Sequence, residues 1–177
     1  KWVVCGRAVY KDGKPVKGAK VRIRSYKYLA ITDKELFYSY DTITDEKGCY
    51  HFDTVAVDSY TIEINKSGRF GRLVELNVTP EDSFPMEIPT ATLVPTGAIC
   101  GRINLPITDD TTRPLIAIYG VEYMEKALIT QNFCFNGVPV GIYTLILTPR
   151  QGSNLRLELP DIEVFSDSVT EVGILNL

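Results

Sequence analysis

The chain has 177 residues, enough for one large or two small domains. With 23% charged and 45% hydrophobic residues it has the composition of a globular protein, which excludes a disordered or collagen-like chain. The net charge of −3 argues against a nucleic-acid binder. No apolar run reaches the ~18 residues that a membrane-crossing helix needs, and no signal-peptide pattern opens the sequence.

The charge is uneven. Residues 1–95 carry 14 Lys and Arg against 13 Asp and Glu, a net +1, whereas residues 96–177 carry 5 against 9, a net −4. Lys1, Arg7, Lys11, Lys14, Lys17, Lys20, Arg22, Arg24 and Lys27 face a single acid, Asp12, in the first thirty residues. Two readings stand: a solvated basic face, or a docking surface for the acidic half of a neighbouring copy.

Taken in order, the chain reads as short strands separated by turn residues. Trp2 to Tyr10 alternates and predicts a first strand. Lys11-Asp12-Gly13-Lys14-Pro15 is a turn, and Val16 to Leu29 holds a second strand with Ala19, Val21 and Ile23 inward. Leu36 to Ile43 predicts a third. Asp45-Glu46-Lys47-Gly48 turns into a fourth, with Tyr50 and Phe52 on one face and Cys49, His51 and Asp53 on the other. Tyr60, Ile62 and Ile64 mark a fifth, Arg69 to Val78 a sixth, and Ile88 to Val94 a seventh.

Pro95-Thr96-Gly97 then resets the pattern. Ala98-Ile99-Cys100-Gly101-Arg102-Ile103 repeats Val3-Val4-Cys5-Gly6-Arg7-Ala8, and Asn132 to Leu147 repeats the central hairpin. Leu115 to Tyr119, Leu155 to Phe165 and Val169 to Leu177 read as strands, while Glu122 to Ile129 fits a strand or one helical turn. With no sustained 3.6-residue period, the expected class is all-β: two small sandwiches in tandem, residues 1–95 and 96–177.

The ordered pattern Gly6, Asp12-Gly13-Lys14-Pro15-Val16, Gly18-Ala19, Val21, Thr44-Asp45, Gly48, Tyr50, Phe52 and Tyr60 resembles the carboxypeptidase regulatory-like domain. The resemblance covers residues 1–94. It is looser in the second half, through Gly101 and Gly137-Val138-Pro139-Val140-Gly141-Ile142-Tyr143, without the Asp-Gly-Lys-Pro-Val turn. It implies two seven-stranded transthyretin-like (prealbumin-like, Ig-like) sandwiches, similar to tandem copies in bacterial surface lipoproteins and envelope proteins. Such domains act mostly as stalks, spacers or interaction modules, so the fold alone assigns no task.

Four cysteines lie at matched places. Cys5 and Cys100 fall in Cys-Gly-Arg. Cys49 lies eleven residues before Tyr60 and Cys134 nine before Tyr143, both odd offsets that put both thiols outward. In the transthyretin-like topology the strands bearing them are neighbours, so the resemblance implies disulfides Cys5–Cys49 and Cys100–Cys134, hence an oxidising, extracellular or cell-surface location. Four reduced thiols are the alternative. A metal cluster lacks the Cys-x-x-Cys spacing.

No catalytic, metal or cofactor site is expected. His51 is the single histidine and falls on the outward face. It supplies neither a two-histidine metal site nor the histidines of the urate-pathway hydrolase or dioxygenases that share the transthyretin-like shape. Asp109-Asp110 reads as a polar loop, and strand one offers no inward Lys for an isopeptide bond. Among ten tyrosines, Tyr26, Tyr28, Tyr38 and Tyr40 gather on strands two and three and, with Arg22 and Arg24, form a candidate binding surface. The expected function is a non-catalytic surface stalk, spacer or fibre subunit. Its partner would be another copy, basic domain to acidic domain, or another surface protein. The competing expectation is an accessory module that binds glycan or protein through the Tyr/Arg face. Neither involves nucleic acid or a transmembrane segment, and a lipid anchor is compatible with the sequence without being visible in it.

Overall fold

The computed structural model describes residues 3–25, 39–105, 113–118, 124–149 and 155–176, the backbone alone for 124–127. The chain divides into two compact units, Lys1–Val94 and Pro95–Leu177. All regular structure among the described residues is strand.

The first unit contains β1 (Val4–Val9), β2 (Lys20–Ser25), β3 (Ser39–Ile43), β4 (Cys49–Phe52), β5 (Asp58–Lys66), β6 (Phe70–Val78), β7 (Met86–Glu87) and β8 (Ala91–Thr92). One sheet has the order β4-β1-β7, with β8 also on β1. The other has the order β3-β2-β5-β6 and ends on β9 (Val94–Pro95). Inward side chains of the two sheets meet in one core of Val4, Ala8, Val21, Ile23, Tyr50, Phe52, Tyr60, Ile62, Ile64 and Leu93, each less than 5% exposed. The alternation read from the sequence explains this: on β1, β2, β4 and β5 every second residue points inward, most of them apolar.

The seventh strand departs from its expectation. It is not continuous from Ile88 to Val94 but breaks into β7 and β8, both parallel to β1. Pro89 has no N–H to donate between them. The ladder continues as single bonds from Ile88 N to Cys5 O and from Leu93 N to Val9 O, each 2.8 Å.

The second unit contains β10 (Gly97–Ile103), β11 (Leu115–Ile118), β12 (Met124–Ala127), β13 (Asn132–Val138), β14 (Gly141–Thr148), β15 (Leu157–Val164) and β16 (Val169–Leu175). Its sheets run β13-β10-β16 and β12-β11-β14-β15. Within the segment left open between strand and helical turn, Met124–Ala127 is a strand, since β12 pairs antiparallel with β11. Ile99, Ile103, Ile116, Phe135, Leu145, Leu147 and Val164 are fully buried.

Polar side chains fix the turns. Thr44 is 3% exposed; its Oγ1 accepts from Ala19 N at 2.8 Å and donates to Val16 O at 2.5 Å. Asp45 caps the following turn by accepting from Lys47 N at 2.8 Å and Cys49 N at 2.9 Å, which holds its carboxyl below the usual 3.8. Gly48 has φ 75°, and a Cβ there would run into Ala8 O, so the residue is confined to glycine by both its backbone and its neighbour.

Candidate functional site

The matched Cys-Gly-Arg segments lie on β1 and β10, each a central strand of its sheet. In the first unit β1 pairs with β4 in the register Val4↔Phe52, Cys5↔His51, Gly6↔Tyr50 and Arg7↔Cys49. In the second, β10 pairs with β13 in the register Cys100↔Cys134, Gly101↔Phe133 and Arg102↔Asn132.

Glycine in these segments is explained by the core. Tyr50 lays its ring over Gly6, and a Cβ on residue 6 would overlap that ring. At Gly101 the Phe133 ring shares this role with Val172, a Cβ standing 2.7 Å from Phe133 Cζ and 2.6 Å from Val172 Cγ2. An aromatic ring thus covers the gap that a strand glycine leaves, once per unit. The Tyr50 hydroxyl is buried with no partner among the described residues, and burial pushes its pKa up to about 12. A second relation also recurs. The Tyr60 hydroxyl donates to Ala56 O at 3.0 Å, and the Tyr143 hydroxyl to Pro139 O at 2.6 Å, each four residues back.

Cys100 and Cys134 are joined by a disulfide across directly opposed positions, Cα–Cα 4.1 Å. Cys5 and Cys49 are not joined. They share the outward face of one strand pair, as parity requires, but stand diagonally: His51 occupies the place opposite Cys5, and Arg7 the place opposite Cys49. The expected Cys5–Cys49 bond is therefore not formed in the structure. Parity fixes the face of a side chain and leaves even shifts along the strand undetermined. The signal was present in the spacing: eleven residues from Cys49 to Tyr60 against nine from Cys134 to Tyr143 is a difference of two, the shift found.

Around Cys5 the outward face gathers polar groups, to which Glu87 is an addition that the sequence reading missed. Glu87 on β7 lies beside Cys5 on the side opposite His51. Burial, then the negative charges of Glu87 and Asp53, raise the Cys5 thiol above its ordinary value. The Arg7 Nε donates to Lys47 O at 3.0 Å, and the Cys49 thiol approaches the same carbonyl at 3.9 Å. His51 is exposed. Among the described residues no three His, Cys, Asp or Glu side chains gather closely enough to hold a metal ion.

The candidate Tyr/Arg surface is only partly assembled. Arg22 and Arg24 point away from the core on β2. Arg22 makes a two-pronged ion pair with Asp41, its Nη2 2.7 Å from Oδ2, and that pair pulls the Asp41 carboxyl down. Glu63, 6% exposed, stands opposite Arg22 on the other side, on β5. Tyr40 corrects the expectation. It lies opposite Ile23, so it belongs to the other face of the sheet, and its 56% exposure comes from its place on the edge strand. Tyr26, Tyr28, Tyr38 and Asp109-Asp110 lie outside the described residues.

No protein-family model matches the chain, and no curated protein matches its sequence. Solved structures do match in outline. One is GBS52, a minor pilin of Streptococcus agalactiae, at 11% identity over 99% of this chain and 95% of that one, TM-score 0.39. Another is a D295N mutant of the shaft pilin SpaA of Lactobacillus rhamnosus GG, at 10% identity over 99% of both chains, TM-score 0.38. A third is a DUF3823 family protein from Bacteroides uniformis, at 10% identity over 95% of this chain and 99% of that one, TM-score 0.34.

Proposed function

We propose that the chain is a non-catalytic structural module of the cell surface, built as two sandwiches of the transthyretin-like, carboxypeptidase regulatory-like kind in tandem. The observation that carries this reading is what the two units have in common. Their shared contacts are glycine under an aromatic ring and a tyrosine hydroxyl tied to the carbonyl four residues back. Those contacts hold sheets and connections in place. The residues repeated along the chain thus serve the scaffold, as expected of a stalk, spacer or fibre subunit whose task is shape. The Cys100–Cys134 disulfide supports an oxidising compartment. The single histidine and the sequence's lack of catalytic motifs support the non-catalytic reading.

In this reading the partner is another copy, with the net +1 of residues 1–95 facing the net −4 of residues 96–177. The rival reading is recognition of glycan or protein through the outward face of β2. The Arg22–Asp41 pair favours the structural reading, because it already engages the arginine that a ligand would need. Light scattering on the non-reduced protein across a range of salt tests the proposal. Association that weakens with salt supports it; a salt-independent monomer rejects the electrostatic partner.

A further inference from the structure

We propose that Cys5 and Cys49 form an open dithiol, a site of covalent modification by low-molecular-weight disulfides at which Cys49 reacts first and Cys5 does not resolve the adduct. The two thiols are diagonal neighbours on one face of β1 and β4. Diagonal positions across an antiparallel pair are ~7–8 Å apart, against the ~5.5–6 Å between Cα atoms that a disulfide prefers. Internal closure therefore needs β4 to slide two residues along β1, which keeps both thiols outward.

Three contacts oppose that slide. It would carry Tyr50 off Gly6 and onto Val4, which is fully buried. It would break the bond from Ala8 N to Gly48 O, 2.8 Å. It would also strain the anchor of the turn that leads into β4, where Thr44 N donates to Ala19 O at 3.0 Å. The second unit has no such conflict, since its glycine and its cysteines are satisfied in one register.

Both thiols are half-buried, but their places in the sheet differ. Cys5 lies on the central strand, hemmed by His51 on one side and Glu87 on the other. Cys49 lies on β4, at the end of the strand order, with β1 on one flank only. The raised pKa of Cys5 works in the same direction, because thiolate is the attacking species. In the reaction the Cys49 thiolate attacks one sulfur of RSSR, the S–S bond of the reagent breaks, and RS⁻ leaves and takes up a proton. The product is Cys49–S–S–R plus RSH, and the reagent is the oxidant.

The folded protein is incubated with oxidised glutathione at low protein concentration, then read by intact mass and by peptide mapping without reduction. The expected product carries one glutathionyl group on Cys49, with Cys100–Cys134 unchanged. Cys5→Ser forms the same adduct at a rate within about twofold of the parent, since Cys5 plays no part. Cys49→Ser slows adduct formation on the order of tenfold. A product two hydrogens lighter with a Cys5–Cys49 cross-linked peptide overturns the proposal, as does an adduct that accumulates only in Cys5→Ser. First reaction at Cys5, or no adduct in the fold when the urea-unfolded chain reacts at both thiols, overturns it equally.

Discussion

Tyr50 faces Gly6 directly across β1 and β4, its ring filling the space that a side chain on residue 6 would need. The same relation joins Phe133 to Gly101. Gly6→Ala is expected to destabilise the first unit by about 2–3 kcal/mol, because the overlap falls on a buried ring rather than on a flexible chain end. Chemical denaturation checks the size, and a double-mutant cycle checks the cause. With Tyr50→Ala already in place, the added cost of Gly6→Ala falls below about 1 kcal/mol.

Tyr50→Phe is expected to raise stability by about 1 kcal/mol, since it removes a buried hydroxyl that lacks a partner among the described residues. The pH dependence has a definite sign. The folded pKa is about 12 against an ordinary 10, so the fold binds this proton more tightly than the unfolded chain does. Stability is unaffected below pH 10 and falls as pH rises from 10 towards 12. Tyr50→Phe makes that alkaline decline shallower in urea melts.

Thr44→Val is expected to cost about 2–4 kcal/mol, because Ala19 N and Val16 O both lose a buried partner while the side-chain volume is kept. Thr44→Ser retains the hydroxyl and costs less than half as much. Urea melts of the two variants check this directly.

Asp45 sets part of the acid limit. Its carboxyl is held low chiefly by the Cys49 N–H and then the Lys47 N–H. The unfolded chain therefore takes up this proton first on acidification. The contribution is complete above about pH 4 and is lost as pH falls through the lowered folded value. Asp41, held low by the Arg22 side chain, acts in the same window. Asp45→Asn keeps an acceptor oxygen and removes the titration, so its melting temperature falls less steeply between pH 5 and pH 2 than the parent's.

Reduction or Cys100→Ser/Cys134→Ser is expected to cost the second unit about 3–4 kcal/mol, the loop-entropy value for a bridge across a sequence separation of 34 residues. The first unit, with no bridge, is unaffected. Thermal melts with and without a thiol reductant read the difference as a shift in one transition only.

Much of the architecture was legible because it is written in period two. Val21 and Ile23, Tyr50 and Phe52, and Tyr60, Ile62 and Ile64 all alternate, and all are buried. What parity does not carry was read wrongly. The Cys5–Cys49 pairing needed register, and Tyr40 needed its count from Ile23, not its company in the sequence. The broken seventh strand was signalled by Pro89 inside an apolar run. The pairing of Arg22 with Asp41 was not readable at all, because the two residues meet only once β2 and β3 are side by side.

The measurement that bears most directly on the structural reading is the mass of the non-reduced protein by light scattering at rising concentration, with negative-stain images of the same samples. The account predicts masses above 19.8 kDa that grow in whole-chain steps and fall back with salt, with ordered chains of particles in the images. A mass of 19.8 kDa at every concentration, together with saturable glycan binding that Arg22→Ala abolishes, would contradict it and establish a recognition module instead.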